Sequence, residues 1–212
     1  MPVFKSGRGL VPSWCELEFF EIVNLAPGQT HTFARAGKKE KLIVCGGWCE
    51  IVVDGKVGVL GFENTNIDLL TPQGQFEVRR VGAPTVLVRM AGRWGDQVGG
   101  SGLFGVGNTD KPSDGGDKVT YRKTTCFDNH FHDCDEYWIV YAGRGTAVSE
   151  GKSFEVGPGD CIATGMGQHH DFPIAHEPVK AVYFETTMEG AKRGGHLWEH
   201  KNGKAMPAKE RV

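Results

Sequence analysis

Glycine constrains this chain more than any other residue. Thirty-one of its 212 residues are glycine, recurring at intervals between short apolar runs. Glycine in a helix interior costs about 1 kcal/mol relative to alanine, whereas turns that need a positive φ favour it. Alternating runs of about four to eight residues closed by such turns specify many short strands and few long helices. The expectation is therefore an all-β chain.

Charge narrows the partners. Twenty-four Lys and Arg balance 26 Asp and Glu, for a formal net charge of -2. With no basic field, nucleic acid and anionic membranes are poor partners, and a small-molecule substrate is the expected one. No stretch approaches the ~20 apolar residues that span a bilayer. The opening "MPVFKSGRGL" has no apolar core of signal-peptide type, so a cytoplasmic location is expected. The six cysteines (15, 45, 49, 126, 134 and 161) are scattered, and "CGGWC" at 45 to 49 is not a paired C-x2-C. Reduced, buried thiols are the expected state.

Two windows carry the strand signal, from about Glu18 to Trp94 and from about Lys118 to Thr187. The chain is read as residues 1–94, a glycine-rich linker over 95–117, a second unit over 118–190 and a polar tail over 191–212. The windows also resemble each other. "VDGKVGVL" (53 to 60) aligns with "SEGKSFEV" (149 to 156), placing Asp54-Gly55 on Glu150-Gly151, where tight hairpin turns are expected. The same offset sets Gly47 on Gly143 and Glu40 on Glu136. After a three-residue slip, "PQGQFE" (72 to 77) aligns with "GMGQHH" (165 to 170). Ordered matches of this kind point to a duplication.

Polar density peaks at "NHFHDCDEYW" (129 to 138). In an extended strand alternate side chains share a face, so His130, His132 and Glu136 are expected on one side. Imidazole nitrogen and carboxylate oxygen are good ligands for first-row divalent metals. Trp138 and Val140 would continue that face as a dry wall. Asp133 and Asp135 fall on the opposite face and are expected in solvent, with Cys134 a neighbour of the site and not a ligand.

The spacing H-x-H-x3-E-x6-G over 130 to 143, followed by "EVGPGDCIATGMGQHHDF", resembles the two-part signature of the cupin superfamily. Three positions depart from the family pattern. Thr124 stands for the first glycine, Gly165 for the proline and Ile174 for a final asparagine. They touch turns and a strand end, not ligands. The resemblance implies two tandem cupin (jelly-roll) barrels, the second holding one metal through His130, His132, Glu136 and a fourth histidine. Spacing from Gly167 and parity with Phe172 favour His170 over His169. At the matching places the first window offers Ala34, Ala36, Glu40 and Glu77, so it reads as a degenerate barrel without a metal. The resemblance further implies a homodimer.

Mixed nitrogen and oxygen ligands leave iron, manganese, nickel, cobalt and zinc open. Proton transfer needs a group outside the ligand set, and the flanking segments "VTYRKTT" (119 to 125) and "AVYFETT" (181 to 187) supply candidates, foremost Tyr183 and Glu185. Tyr121 and Lys123 share the same parity argument. His196 and His200, four apart around Trp198, offer either a lid or a solvated helical tail, and the tail is the expected reading. Three functions follow in order: a metal-dependent isomerase, epimerase or lyase acting on a sugar or hydroxy acid; an iron-dependent dioxygenase; and a non-catalytic small-ligand binder.

Overall fold

A computed structural model describes residues 2–6, 11–61, 64–69, 74–112 and 115–211. Its first strands are β1 (Val3–Lys5), β2 (Leu17–Leu25), β3 (His31–Ala34), β4 (Lys39–Gly46), β5 (Trp48–Val53), β6 (Lys56–Gly61), β7 (Asn66–Leu69), β8 (Gln75–Arg79) and β9 (Thr85–Gly92). Then come β10 (Val98–Val106), β11 (Glu136–Ala142), β12 (Gly145–Ser149), β13 (Lys152–Val156), β14 (Asp160–Thr164), β15 (His170–Ala175) and β16 (Val179–Thr187). One helix of four residues, α1, covers Glu199–Asn202. The all-β expectation holds.

The chain forms two compact units. The N-terminal unit contains Glu16–Trp94; the C-terminal unit runs from Gly95 and also takes residues 2–5 and Pro12–Cys15. A boundary drawn at 1–94 therefore misplaces β1, which pairs with β14 of the C-terminal unit. The N-terminal sheets have the orders β2-β9-β4-β7 and β3-β8-β5-β6, and the C-terminal sheets β10-β16-β11-β14-β1 and β15-β12-β13. Apart from β1, which has no N-terminal counterpart, and β3, which has no C-terminal one, these follow one plan. The aligned hairpins agree in backbone as well: Asp54 and Gly55 have φ of 50° and 75°, Glu150 and Gly151 of 48° and 72°. Two successive positive φ values are what a tight two-residue hairpin of matching twist requires. In the "PQGQFE" alignment, residues 72 and 73 lie outside the described ones.

Each unit has its own core. Leu42, Val44, Ile51, Phe76, Val78 and Leu87 centre the N-terminal one. Trp138, Val140, Ile162, Phe172 and Ala181 centre the C-terminal one. Burying each large apolar side chain stabilises the fold by about 1.5–3 kcal/mol. The parity expected of β11 is seen here, since Trp138 and Val140 both enter the C-terminal core.

The expected linker over 95–117 is a correction. Within it Val98–Val106 form β10, paired with β16 from Val98 opposite Thr187 to Val106 opposite Val179. Residues 113 and 114 of that stretch lie outside the described ones. Glycine disguised the strand, and the space it leaves explains its presence. A Cβ on Gly99 would stand 2.5 Å from Glu185 Oε2, and one on Gly102 would stand 2.9 Å from Tyr183 Cε1. The strand has given up side chains to make room for two others.

Candidate metal centre

His130, His132 and Glu136 do not share one strand. His130 pairs with His170, each backbone N–H reaching the other's carbonyl at 3.2 and 2.9 Å. Phe131 pairs likewise with Leu197, at 3.0 Å both ways. The chain then bends at Asp133 and Cys134, and β11 begins at Glu136. The bend is fixed from below by Asp135, which is 1% exposed. Its carboxylate accepts the Met166 N–H at 2.8 Å and pairs with Arg211, while Thr186 N–H donates to its carbonyl. Asp135 is thus a buried brace, contrary to the expectation that it faces water. Asp133 does lie near the surface, 3.0 Å from Arg193.

Three imidazoles converge with one carboxylate. Nδ1 of His130 lies 2.9 Å from the Asp128 carbonyl, that of His132 2.9 Å from the Gly195 carbonyl, and that of His170 2.9 Å from the Gln168 carbonyl. A carbonyl can only accept, so each Nδ1 carries a proton, and Nε2 is the nitrogen whose lone pair each ring would offer to a metal. Those lone pairs point at a common place. His130 Nε2 lies 3.1 Å from His132 Nε2, and Glu136 Oε2 lies 3.3 Å from His132 Nε2 and 2.8 Å from His170 Nε2.

This donor set fits a divalent metal. Neighbouring ligands on an octahedral ion bound at ~2.1 Å stand ~3.0 Å apart. The three spacings bracket that value. Glu136 Oε2 and His170 Nε2 are buried and, though 2.8 Å apart, are not aligned for a hydrogen bond to each other or to any other described residue, which is costly for polar atoms unless a ligand takes them. All four side chains are buried, with ligand atoms within 4.8 Å of one another. Complete burial works against a charged Glu136, but His132 and His170 beside it hold its carboxyl well below the usual range. Burial likewise lowers His130 well below an ordinary histidine, and His170 beside it works in the same direction. Cys134 is a wall residue: burial, then Glu185 and Glu136, push its thiol up, away from the thiolate that binds metals.

Glu185 stands next to this group without joining it. It is directly opposite Glu136 in the β11–β16 register, and Tyr183 is opposite Trp138. Residues opposite one another in a ladder share a face. Glu185 Oε1 comes 3.9 Å from His132 Nδ1, and its side chain is buried. Burial raises its pKa and Glu136 adds to the rise, while His132 opposes it. Tyr183 is raised by burial first, then by Glu185 and Glu136.

The other candidates separate. Residues 119–124 form no strand; Tyr121 Oη and Lys123 Nζ both bind Asp171 Oδ2, at 2.9 and 2.6 Å. His169 turns away from the four and pairs with Asp117 at 3.0 Å. His196, read as a solvated tail residue, stacks on His130 with ring centroids 3.7 Å apart and 4° between planes. Among the described residues of that tail only α1 is helical, so helical spacing was the wrong guide. Asp128, which no sequence signal singled out, receives both His196 Nδ1 and the Trp198 indole N–H.

At the matching place the N-terminal unit carries an ion pair. Glu40 is fully buried, with Arg89 Nε 2.9 Å from its Oε2 and Arg35 Nε 3.0 Å from its Oε1. Arg89 faces Leu42 in the β4–β9 register, as Tyr183 faces Trp138. Its guanidinium lies between 5.2 and 5.6 Å from the Phe19, Phe33 and Phe76 rings, within reach of a cation–π interaction. Glu77 is partly exposed beside Arg79 and takes no part.

No protein-family model matches the chain. The uncharacterized protein y4oW of Sinorhizobium fredii is 45% identical over 213 residues, covering 100% of this chain and 97% of that one. Among solved structures, a mutant of Bacillus subtilis oxalate decarboxylase OxdC shares 11% identity with a TM-score of 0.53, over 82% of this chain and 70% of that one. An IolB-like protein of Salmonella typhimurium shares 12% with a TM-score of 0.52, over 86% and 88%. YhaK of Escherichia coli shares 14% with a TM-score of 0.53, over 88% and 93%. At such identities these likenesses speak for the fold alone, an all-β jelly roll.

Proposed function

The chain belongs to the family of the uncharacterized protein y4oW, and from this premise we propose that it is a metal-dependent enzyme of cupin fold. Its reaction is an isomerisation, epimerisation or elimination that moves a proton on a small hydroxylated substrate, a sugar or hydroxy acid. The observation that carries this reading is Glu185, a buried carboxylate opposite Glu136 that stands outside the four converging residues.

His130, His132, Glu136 and His170 would hold the ion, which when bound supplies a Lewis acid for substrate oxygen. Glu185 takes or returns the proton at the substrate carbon nearest it, within the reach general acid–base catalysis requires. Tyr183, two residues back on the same face of β16, offers its hydroxyl to a substrate oxygen. Trp138 and Phe172 keep water from that side. We read the N-terminal unit as a second cupin barrel in which Arg89 occupies the place of a metal, and the whole as a cytoplasmic homodimer.

A second reading, an iron-dependent dioxygenase, rests on a different observation. Phe104, Phe127 and Trp138 form a continuous aromatic wall, with centroids 5.1 to 5.6 Å apart, and the Phe127 ring lies 5.8 Å from that of His130. Such a wall suits an apolar substrate.

One experiment separates the readings. Protein loaded in turn with iron, manganese, nickel, cobalt and zinc is incubated in heavy water with a panel of sugars, hydroxy acids and catechols. Deuterium entering a carbon position of a turned-over sugar or hydroxy acid supports the first reading. Substrate-dependent oxygen uptake with iron, and no deuterium exchange, replaces it with the second. Binding of a panel member without turnover under any metal leaves a ligand-binding protein and sinks both.

A further inference from the structure

None of the four candidate ligands is more than 4% exposed, so whatever covers them governs a substrate's access. One part of that cover is the C-terminal segment. From Glu189 to Lys204 every residue except Leu197 and Trp198 is exposed, yet this segment touches two ligands. The Gly195 carbonyl accepts the His132 Nδ1–H at 2.9 Å, and the His196 ring lies flat on His130 at 3.7 Å.

Asp128 ties ligand and segment together. Its carbonyl accepts the His130 Nδ1–H at 2.9 Å. Its carboxylate receives His196 Nδ1 at 3.1 Å and the Trp198 Nε1–H at 2.9 Å. Two further ties complete the attachment: the Phe131–Leu197 backbone pair and the Arg193–Asp133 ion pair at the surface. Gly195 has a φ of +80°, and a Cβ there would meet nothing within 4 Å. Glycine is thus required by the backbone path that aims its carbonyl at His132, not by packing. Leu197 anchors the segment in a small buried cluster with Phe131 and Ala205, while its other residues stay exposed or half-buried. Such a segment opens at lower free energy than strands in the packed core.

We propose that Arg193–Trp198 is a strap belonging to the metal centre. It positions His132 and His130, closes the mouth of the C-terminal barrel, and lifts to admit substrate. The proposal rests on reading the four residues as a metal site.

The test uses the full chain loaded with cobalt(II). Its visible spectrum, stoichiometry and rate of loss to excess EDTA are compared among the wild type, His196→Ala and Trp198→Phe. The expected result is unchanged stoichiometry, a shifted cobalt spectrum and release about tenfold faster, as for other groups that orient metal ligands. Trp198→Phe removes the indole bond to Asp128 and keeps an aromatic ring beside His196 and Lys201, so it reports even if His196→Ala fails to fold. Unchanged spectra and release within twofold in the variants that fold overturn the strap. Trypsin cleavage after Lys192 or Arg193 gives a readout without metal. Cleavage slowed by cobalt supports lifting, and resistance with and without cobalt refutes it. Failure of the wild type to take up cobalt, nickel, manganese, iron or zinc defeats the metal reading instead, whatever trypsin shows of the strap.

Discussion

Glu136 and Glu185 stand directly opposite each other on β11 and β16, yet their carboxyls are driven in opposite directions. Burial works to raise both. At Glu136 two imidazoles outweigh it and hold the carboxyl well below the usual range. At Glu185 burial prevails, helped by Glu136. Paired carboxyls with separated pKa values divide their labour, one permanently charged and the other able to carry a proton. Glu136→Gln should therefore lose stoichiometric metal. Glu185→Gln should keep it while kcat falls about a hundredfold or more. Metal analysis beside steady-state kinetics checks both, and parallel loss of metal in the two variants would contradict the division.

His132 should be indispensable for metal and dispensable for folding. Its Nε2 is one of the converging donors, but its removal takes little from the core centred on Trp138 and Phe172. His132→Ala should bind no metal in equilibrium dialysis and retain the wild-type far-ultraviolet circular dichroism. Adding cobalt should raise the Tm of the wild type and leave that of the variant unmoved, because only a ligand that binds the folded state stabilises it. A variant that still holds one equivalent of metal would refute the ligand set.

What could be read in the chain, and what could not, follows from where each constraint acts. The cluster of His130, His132, Glu136 and His170 was legible because metal chemistry demands particular residue types, although the single strand that parity assumed for three of them is broken by the bend at Asp133 and Cys134. That bend was not legible, since it depends on Asp135 meeting Arg211, 76 residues away. Strand β10 was hidden because its glycines clear space for Glu185 and Tyr183, which erased the alternation that marks a strand. His196 was misread because its spacing from His200 imitates a helix turn, while the contact that defines it lies across the fold at His130. Local patterns report local constraints, and these three features are imposed from a distance.

Arg89 is expected to be a stability determinant of the N-terminal unit. It gives Glu40 its principal buried partner and also binds Glu21 at 2.8 Å. Burial raises the pKa of Glu40, and the bonds from Arg89 and Arg35 bring it below the usual value. Arg89→Met leaves a buried carboxylate without its main cation, a loss of about 3–5 kcal/mol. The double variant Arg89→Met/Glu40→Gln, which removes the charge as well, should recover part of that. Urea denaturation of the wild type, both single variants and the double variant measures the effect, and losses that simply add in the double variant would show that the pair is not coupled.

Asp117 should make acid resistance local. Burial pushes its carboxyl up, but the Glu199 and His200 N–H groups and the His200 and His169 rings outweigh that and bring it to about 2. These bonds, at 2.7 to 3.3 Å, fasten α1 beside His169. A carboxyl whose pKa is lowered by folding contributes stability that is complete above its unfolded value of 3.8 and is lost as pH falls through its folded one. The stability difference between wild type and Asp117→Asn should therefore be constant from pH 7 to about 5, then shrink as pH falls from about 4 towards 2. In the wild type, the Glu199 amide resonance should titrate with a midpoint near 2. A midpoint at or above 3.8, or a stability difference that does not change below pH 4, would show that the carboxylate is not held by α1 in this way.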